Sequence, residues 1–192
     1  MRTFIAIEID PELRNRIEAL RDRLRKVRPD VKWVGNQNTH ITLKFIGELA
    51  EGSVGSAIEI VRAVAAEVAP FEFHIRGAGR FPPHSGRVNV LWVGAEDPTG
   101  SLAGLHTRLD ERLAALGVER ENKRFSGHIT LGRVRKLTNL AQLIAAVDAL
   151  QDADIGAQRV DELVLFKSDL APGGPTYTPL ARIPLGAAEG KP

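Results

Sequence analysis

One tetrapeptide, His-Ile-Thr-Leu, occurs twice, at 40–43 and at 128–131, and no other feature limits the fold of this chain as tightly. The copies lie 88 residues apart in a chain of 192. A repeat at nearly half the length marks an internal duplication, two supersecondary units of similar shape. A lone His-x-Thr carries little meaning, since average composition yields one in roughly every five chains of this length. A second copy of the whole tetrapeptide arises by chance in on the order of one chain in a thousand. Ile and Leu favour strands, and strand side chains alternate between faces. His40 and Thr42 therefore share one face, with Ile41 and Leu43 on the other. The same parity sets His128 and Thr130 against Ile129 and Leu131. Each copy anchors an apolar pair in a core and presents an imidazole and a hydroxyl. A pseudo-twofold between the units would turn the two polar pairs toward each other across a cleft.

The flanking sequence alternates strand and helix signals. Arg2–Ile9, Val31–Val34 and Thr39–Ile46 read as strands, the last closed by Gly47. Asp10 with Pro11 starts a helix whose Leu13, Ile17, Leu20 and Leu24 recur at helical spacing. Ser53–Val68, Ser101–Leu116 and Asn139–Leu150 read as further helices. Phe71–Ala78, Val88–Val93, Gly127–Val134, Val160–Ser168 and Tyr177–Ile183 read as strands, with a Gly/Pro-rich loop over Gly79–Gly86. The expected class is α+β: two pseudo-symmetric lobes, each an antiparallel sheet with helices on its outer side, and a cleft between them. No linker divides the chain. A single bilobal domain is expected over 1–186, one His-x-Thr-x motif per lobe, with 187–192 a disordered tail.

Composition excludes several alternatives. Cysteine is absent, so disulfides and thiolate zinc sites are excluded. No apolar run approaches the roughly 20 residues that cross a bilayer, and residues 1–10 lack the apolar segment of a signal peptide. The expectation is a cytoplasmic protein with no membrane contact. Net charge is only +2, too little for broad coating of nucleic acid. Basic residues do cluster near His128: Arg120, Lys123, Arg124, Arg133, Arg135 and Lys136. Such a cluster is a solvated face, or a local positive field suited to a phosphate-bearing substrate.

Two imidazoles facing across a cleft suit phosphodiester cleavage. Attacking and leaving oxygens lie roughly in line on opposite sides of phosphorus. One group takes a proton from water and another gives one to the departing oxygen. Histidine does either near neutral pH, its unperturbed pKa being about 6.5. Thr42 and Thr130 can donate hydrogen bonds to the non-bridging oxygens. No metal or cofactor is called for. The near-symmetry leaves the order of the two histidines open.

Two His-x-Thr-x motifs on strands, in a chain of this size, resemble the two-histidine (2H) phosphoesterases. The likeness is closest to the RNA 2′,3′-cyclic phosphodiesterases, also known as 2′-5′ RNA ligases. It is carried by Arg2-Thr-Phe-Ile-Ala-Ile-Glu8, Trp33-Val34, His40-Ile-Thr-Leu-Lys-Phe-Ile-Gly-Glu48, Phe81-Pro82 and Val90-Leu-Trp-Val93. Phe125-Ser-Gly-His-Ile-Thr-Leu-Gly-Arg-Val134, Leu165–Ser168, Gly173-Gly174 and Tyr177 complete it. Gly127 departs from the pattern, which often has Pro before the second His. The resemblance implies a bilobal fold with the site between the lobes. It implies hydrolysis of a terminal 2′,3′-cyclic phosphate on RNA to a 2′-phosphate. His40 would be the proton donor to the leaving 3′ oxygen and His128 the acceptor that activates water. The partner implied is an RNA end, with no obligatory protein partner and a monomeric chain.

Four further residues are candidates for substrate binding: Arg133, Lys44, Phe45 and Tyr177. Arg133 could clamp a phosphate or stack on a base, but strict alternation puts it on the face opposite His128, so a bulge is needed. Lys44 shares the parity of His40 and Thr42. Phe45 and Tyr177 could stack a terminal base, although Phe45 reads first as core packing. His74, His84 and His106 fit no metal spacing and read as structural or exposed, although His84 and Arg87 sit on a loop that could approach the cleft. An ATP-dependent ligase is disfavoured, since Lys167-Ser-Asp-Leu170 lacks the glycine of the nucleotidyl-lysine motif and no Walker A sequence occurs. Rival activities are a phosphodiesterase for small cyclic nucleotides, weak ATP-independent 2′-5′ ligation, and non-catalytic binding of RNA ends.

Overall fold

Chain order is β1 (Arg2–Glu8), α1 (Pro11–Arg25), β2 (Asp30–Trp33), β3 (His40–Glu48), α2 (Val54–Ala66), β4 (Phe71–Phe81) and β5 (Val90–Glu96). It continues with α3 (Ser101–Leu113), β6 (His128–Lys136), α4 (Leu140–Asp148), β7 (Asp154–Val160), β8 (Glu162–Ala171) and β9 (Gly174–Pro184). The computed structural model describes residues 1–27, 29–83, 86–136 and 138–186. The expected tail and His84 lie outside the described residues.

Among the described residues nine strands form one curled antiparallel sheet in the order β7-β4-β5-β6-β3-β1-β8-β9, with β2 alongside β6. The order is symmetric about the β6–β3 junction. β1 beside β3 matches β5 beside β6, and β8 beside β1 matches β4 beside β5. The two expected lobes are thus the halves of a single sheet. The chain interlaces them. β4 follows the first motif in sequence yet lies in the half that holds the second, and β8 returns from there to pair with β1. The helices cross over as well. α1 leaves β1 and packs on α4 and β7, whereas α3 leaves β5 and packs on α2 and β3.

The core lies between the sheet and these helices. Leu13, Ile17, Leu20 and Leu24 of α1 are buried, as their spacing predicts. They join Ile5, Ile7, Ile41, Leu43, Ile129 and Leu131 from the sheet in one cluster. Full burial of each such side chain contributes about 1.5–3 kcal/mol. Among the described residues no helix is long and apolar enough to cross a membrane.

Three expectations about elements are corrected. Gly47 does not close β3. At φ +81° it forms a bulge opposite Thr3, and the strand runs on to Glu48. β4 extends through Phe81, into what reads as loop. The single strand expected over Val160–Ser168 is the junction of two, β7 and β8, separated at Asp161. β7 escapes sequence reading because Asp-Ile-Gly-Ala-Gln-Arg-Val is poor in strand formers and carries Gly156 at φ +131°.

Candidate active site

β3 and β6 meet antiparallel with Ile41 opposite Ile129, both fully buried. Carrying that register one residue either way sets His40 against Thr130 and Thr42 against His128. The two histidines are then diagonal neighbours on the open face of the sheet, near the roughly 7–8 Å typical of such pairs. Sequence parity and strand pairing together produce this constellation.

Both rings are oriented in the same way. His40 Nδ1–H donates to the carbonyl of Asn38 at 2.7 Å, and His128 Nδ1–H donates to the carbonyl of Ser126 at 2.7 Å. In each case the acceptor sits two residues before the histidine. Fixing Nδ1 leaves Nε2 to work from the cleft, as a lone pair in the neutral ring or an N–H in the charged one. Thr42 Oγ1 lies 3.0 Å from His40 Nε2 and can donate to the neutral ring. Backbone carbonyls leave no trace in a side-chain motif, so sequence reasoning missed both anchors. Behind Asn38 stands Thr39, whose Oγ1 accepts at 2.7 Å from the buried guanidinium of Arg21 on α1; Glu18 pairs with the same group.

The fourth residue of each tetrapeptide carries a β-bulge. On β3 the pairing with β1 slips between Ala6–Thr42 and Ile5–Lys44, leaving Leu43 as the extra residue. On β6 the pairing with β5 slips between Trp92–Thr130 and Leu91–Gly132, leaving Leu131 extra. A bulge reverses the alternation beyond it. Leu43 and Lys44 both turn inward, and Phe45 emerges on the open face. Leu131 and Gly132 both turn inward, and Arg133 emerges there. A Cβ at Gly132 would stand 2.5 Å from Val31 Cγ1, so this half accepts only glycine beside β2.

Lys44 is therefore the expected binding residue that the structure corrects. Its ammonium is 1% exposed and bridges Asp110 on α3 at 2.7 Å, with the Glu119 carbonyl at 2.8 Å. Asp110 also accepts from the Glu121 backbone N–H and from Arg120 Nε. Burial acts to raise the Asp110 pKa, but the bonds from Lys44, Glu121 and Arg120 outweigh it and hold it at about 2. Phe45 is corrected in the opposite sense, since it is 55% exposed beside Phe4 rather than core.

Aromatic rings wall both sides of the pair. His40 meets Phe4 at 5.1 Å and the edge of Tyr177 at 5.4 Å, and Phe4 stacks on Phe166 at 5.3 Å. His128 meets the edge of Phe81 at 5.2 Å and Trp92 at 6.5 Å. A cavity of about 250 Å³ opens beside His40, lined among others by Glu8, Asn38, Phe166, Tyr177, Pro179 and Arg182. Burial lowers the His40 pKa below its ordinary value. The Asn38 hydrogen bond and the Glu8 carboxylate oppose that shift, and the charge of His128 adds to it. Burial raises the Tyr177 hydroxyl, while the nearby charges of Arg133 and Arg2 pull it back. Tyr177 thus stands against His40, within reach of the charges of Arg133 and Arg2. Glu8, Phe4, Phe166 and Arg182 come from strands that carry no repeated motif, and sequence reading did not single them out.

The rest of the basic cluster is partly spent elsewhere. Arg120 pairs with Asp110 and Glu111, and Arg135 reaches Asp30 at 4.0 Å. His106 is buried, its Nδ1–H donating to the Leu43 carbonyl at 2.8 Å, and it stacks on Phe125. His74 pairs with Asp154 at 2.6 Å. Among the described residues no three His, Asp or Glu side chains converge as metal ligands.

Known proteins resemble this chain over nearly its full length. The model of the 2′-5′ RNA ligase superfamily matches residues 9–172. A Methanothermobacter thermautotrophicus protein named RNA 2′,3′-cyclic phosphodiesterase is 35% identical, covering 93% of this chain and 95% of its own. An Archaeoglobus fulgidus protein of the same name is 33% identical, covering 94% and 98%. The crystal structure of Escherichia coli LigT complexed with 3′-AMP superposes with a TM-score of 0.73 at 27% identity, covering 96% of this chain and 97% of that one. The paired motifs, the sheet that joins them and these likenesses agree: the chain belongs to the 2′-5′ RNA ligase superfamily of two-histidine phosphoesterases.

Proposed function

We propose that this protein hydrolyses the 2′,3′-cyclic phosphate at an RNA end, leaving a 2′-phosphate, with His40 and His128 as its acid–base pair. The observation that carries this reading is the crossing at Ile41–Ile129, with both Nδ1 atoms tied to carbonyls. That arrangement supports two Nε2 atoms working on one phosphorus from opposite sides. The relatives named RNA 2′,3′-cyclic phosphodiesterase support the substrate class.

In this mechanism the cyclic phosphate sits between the rings. His128 Nε2 takes a proton from water as the water oxygen bonds to phosphorus. The bond from phosphorus to the 3′ oxygen breaks in line, and His40 Nε2–H gives that oxygen its proton. The 2′ oxygen keeps the phosphate. Thr42 and Thr130 donate hydrogen bonds to the non-bridging oxygens, where charge accumulates. Turnover leaves His40 neutral and His128 charged, and exchange with solvent resets both. The donor and acceptor assignments follow the family resemblance. Arg133, Phe45 and Tyr177 are proposed to hold the nucleotide next to the phosphate, by charge and by stacking.

The test is incubation with an oligoribonucleotide ending in 2′,3′-cyclic phosphate in the presence of EDTA, followed by identification of the hydroxyl that keeps the phosphate. A 2′-phosphate product is expected. Absence of turnover, loss of turnover to the chelator, or a 3′-phosphate product would each contradict the reading. Comparing the oligomer with the matching mononucleotide separates an RNA enzyme from one for small cyclic nucleotides.

A further inference from the structure

The two halves of the site differ in what stands across the strand from each histidine. On one side Glu8 of β1 is paired with His40. On the other, Gly94 of β5 is paired with His128. The difference is built into the backbone. A Cβ at Gly94 would stand 2.8 Å from the carbonyl oxygen of Arg76 on β4, so that position accepts no side chain. The cross-strand position beside His128 therefore cannot hold a carboxylate, whereas the one beside His40 does.

Glu8 is fixed in place. Phe4 and Ala6 precede it on the same open face of β1. Its Oε2 lies 2.7 Å from Arg182 Nη1 on β9, and the same nitrogen lies 2.6 Å from Glu162 Oε1 on β8. Glu8 and Arg182 line the cavity beside His40, and they also line the neighbouring trough formed by β1, β7 and β8. The bridge thus stands as a partition between the two spaces.

We propose that Glu8, held by Arg182, is a positioning residue that strengthens the hold of His40 on its proton and so fixes which histidine is the acid. This rests on the proposed acid–base mechanism. The groups facing His40 are Glu8 on β1, His128 on β6, and Tyr177 and Arg182 on β9. Of these, Glu8 carries the negative charge, and it opposes the burial that favours the neutral ring. An incoming phosphate adds charge of the same sign. A histidine with both beside it carries a proton when the substrate is bound, as a donor must. His128 has no carboxylate across its strand and is left to accept.

The test titrates both rings by NMR, on protein labelled at histidine, in wild type and in Glu8→Gln. It also measures the pH dependence of kcat and KM on the cyclic-phosphate oligoribonucleotide. Glu8→Gln is expected to move the His40 midpoint to lower pH and that of His128 far less. At neutral pH kcat falls about three- to tenfold while KM changes little, and Glu8→Asp recovers part of the loss. An unmoved or raised His40 midpoint overturns the proposal, whatever the activity. A midpoint lowered in Glu8→Gln, together with a wild type that cleaves no cyclic phosphate, supports the Glu8–His40 coupling and overturns the proposed function instead.

Discussion

Two imidazoles and two hydroxyls make up the reacting part of the site, and each has a separable role in the proposed reaction. Replacing His40 or His128 singly by Ala should lower kcat on the order of a thousandfold. Thr42→Val or Thr130→Val should cost about a hundredfold, because each hydroxyl donates where charge develops. Single-turnover assays on the cyclic-phosphate oligomer check both, and an effect confined to KM would remove the threonines from the chemistry. The free protein offers a test of the His40 environment as well. Burial lowers the His40 pKa in the folded chain, so below the ordinary value the unfolded chain binds that proton more readily. The stability that neutral His40 contributes is therefore present above about pH 6.5 and is lost as pH falls. His40→Asn should flatten that part of the pH dependence of the urea midpoint.

At the scale of elements, the bulges at Leu43 and Leu131 decide what surrounds the pair. A regular β3 would present Lys44 to the cleft and hide Phe45. The bulge turns Lys44 inward, where it joins β3 to α3 through Asp110 and to the 119–121 segment that leads toward the second motif. Lys44→Met leaves Asp110 buried beside an apolar side chain and should destabilise the protein by about 3 kcal/mol or more. Lys44→Met with Asp110→Leu should recover much of that loss, because both charges then leave the interior. Urea denaturation of the single and double variants checks this, and equal losses in both would refute a buried charge as the cause. The linker from α1 is secured similarly, Arg21 holding Thr39 just before His40.

For the whole molecule, interlacing of the halves should make the sheet one cooperative unit. Neither half of the sequence contains a complete half of the sheet, since β4 and β8 each complete the opposite lobe. The fragments 1–97 and 98–192 should each be unfolded alone by circular dichroism. A folded, soluble fragment would show that the lobes are independent. Acid should expose the buried bridge between sheet and helix. Asp110 titrates at about 2 in the folded chain, below the ordinary carboxylate value. Its stabilising contribution, about 2 kcal/mol, is full above about pH 4 and lost as pH falls toward 2. Asp110→Asn should remove that window from a plot of urea midpoint against pH.

The repeat of His-Ile-Thr-Leu determined the most from sequence alone. Periodicity two fixes which residues of a strand share a face, so the polar pairs and their apolar partners were legible without a structure. The amphipathic face of α1 was legible for the same kind of reason, a local period that burial must obey. What parity cannot carry is a break in parity. Both bulges lie just beyond the readable motif. They sent Lys44 into the core, brought Phe45 and Arg133 to the open face, and depend on how β1, β2 and β5 pair with their neighbours. β7 was missed because a weak strand former is held in place by β4 rather than by its own sequence. The carboxylate beside His40 and the glycine beside His128 also come from strands remote in sequence. Local periodicity thus specified the chemistry each motif could offer, and only long-range strand pairing decided which groups would stand around it.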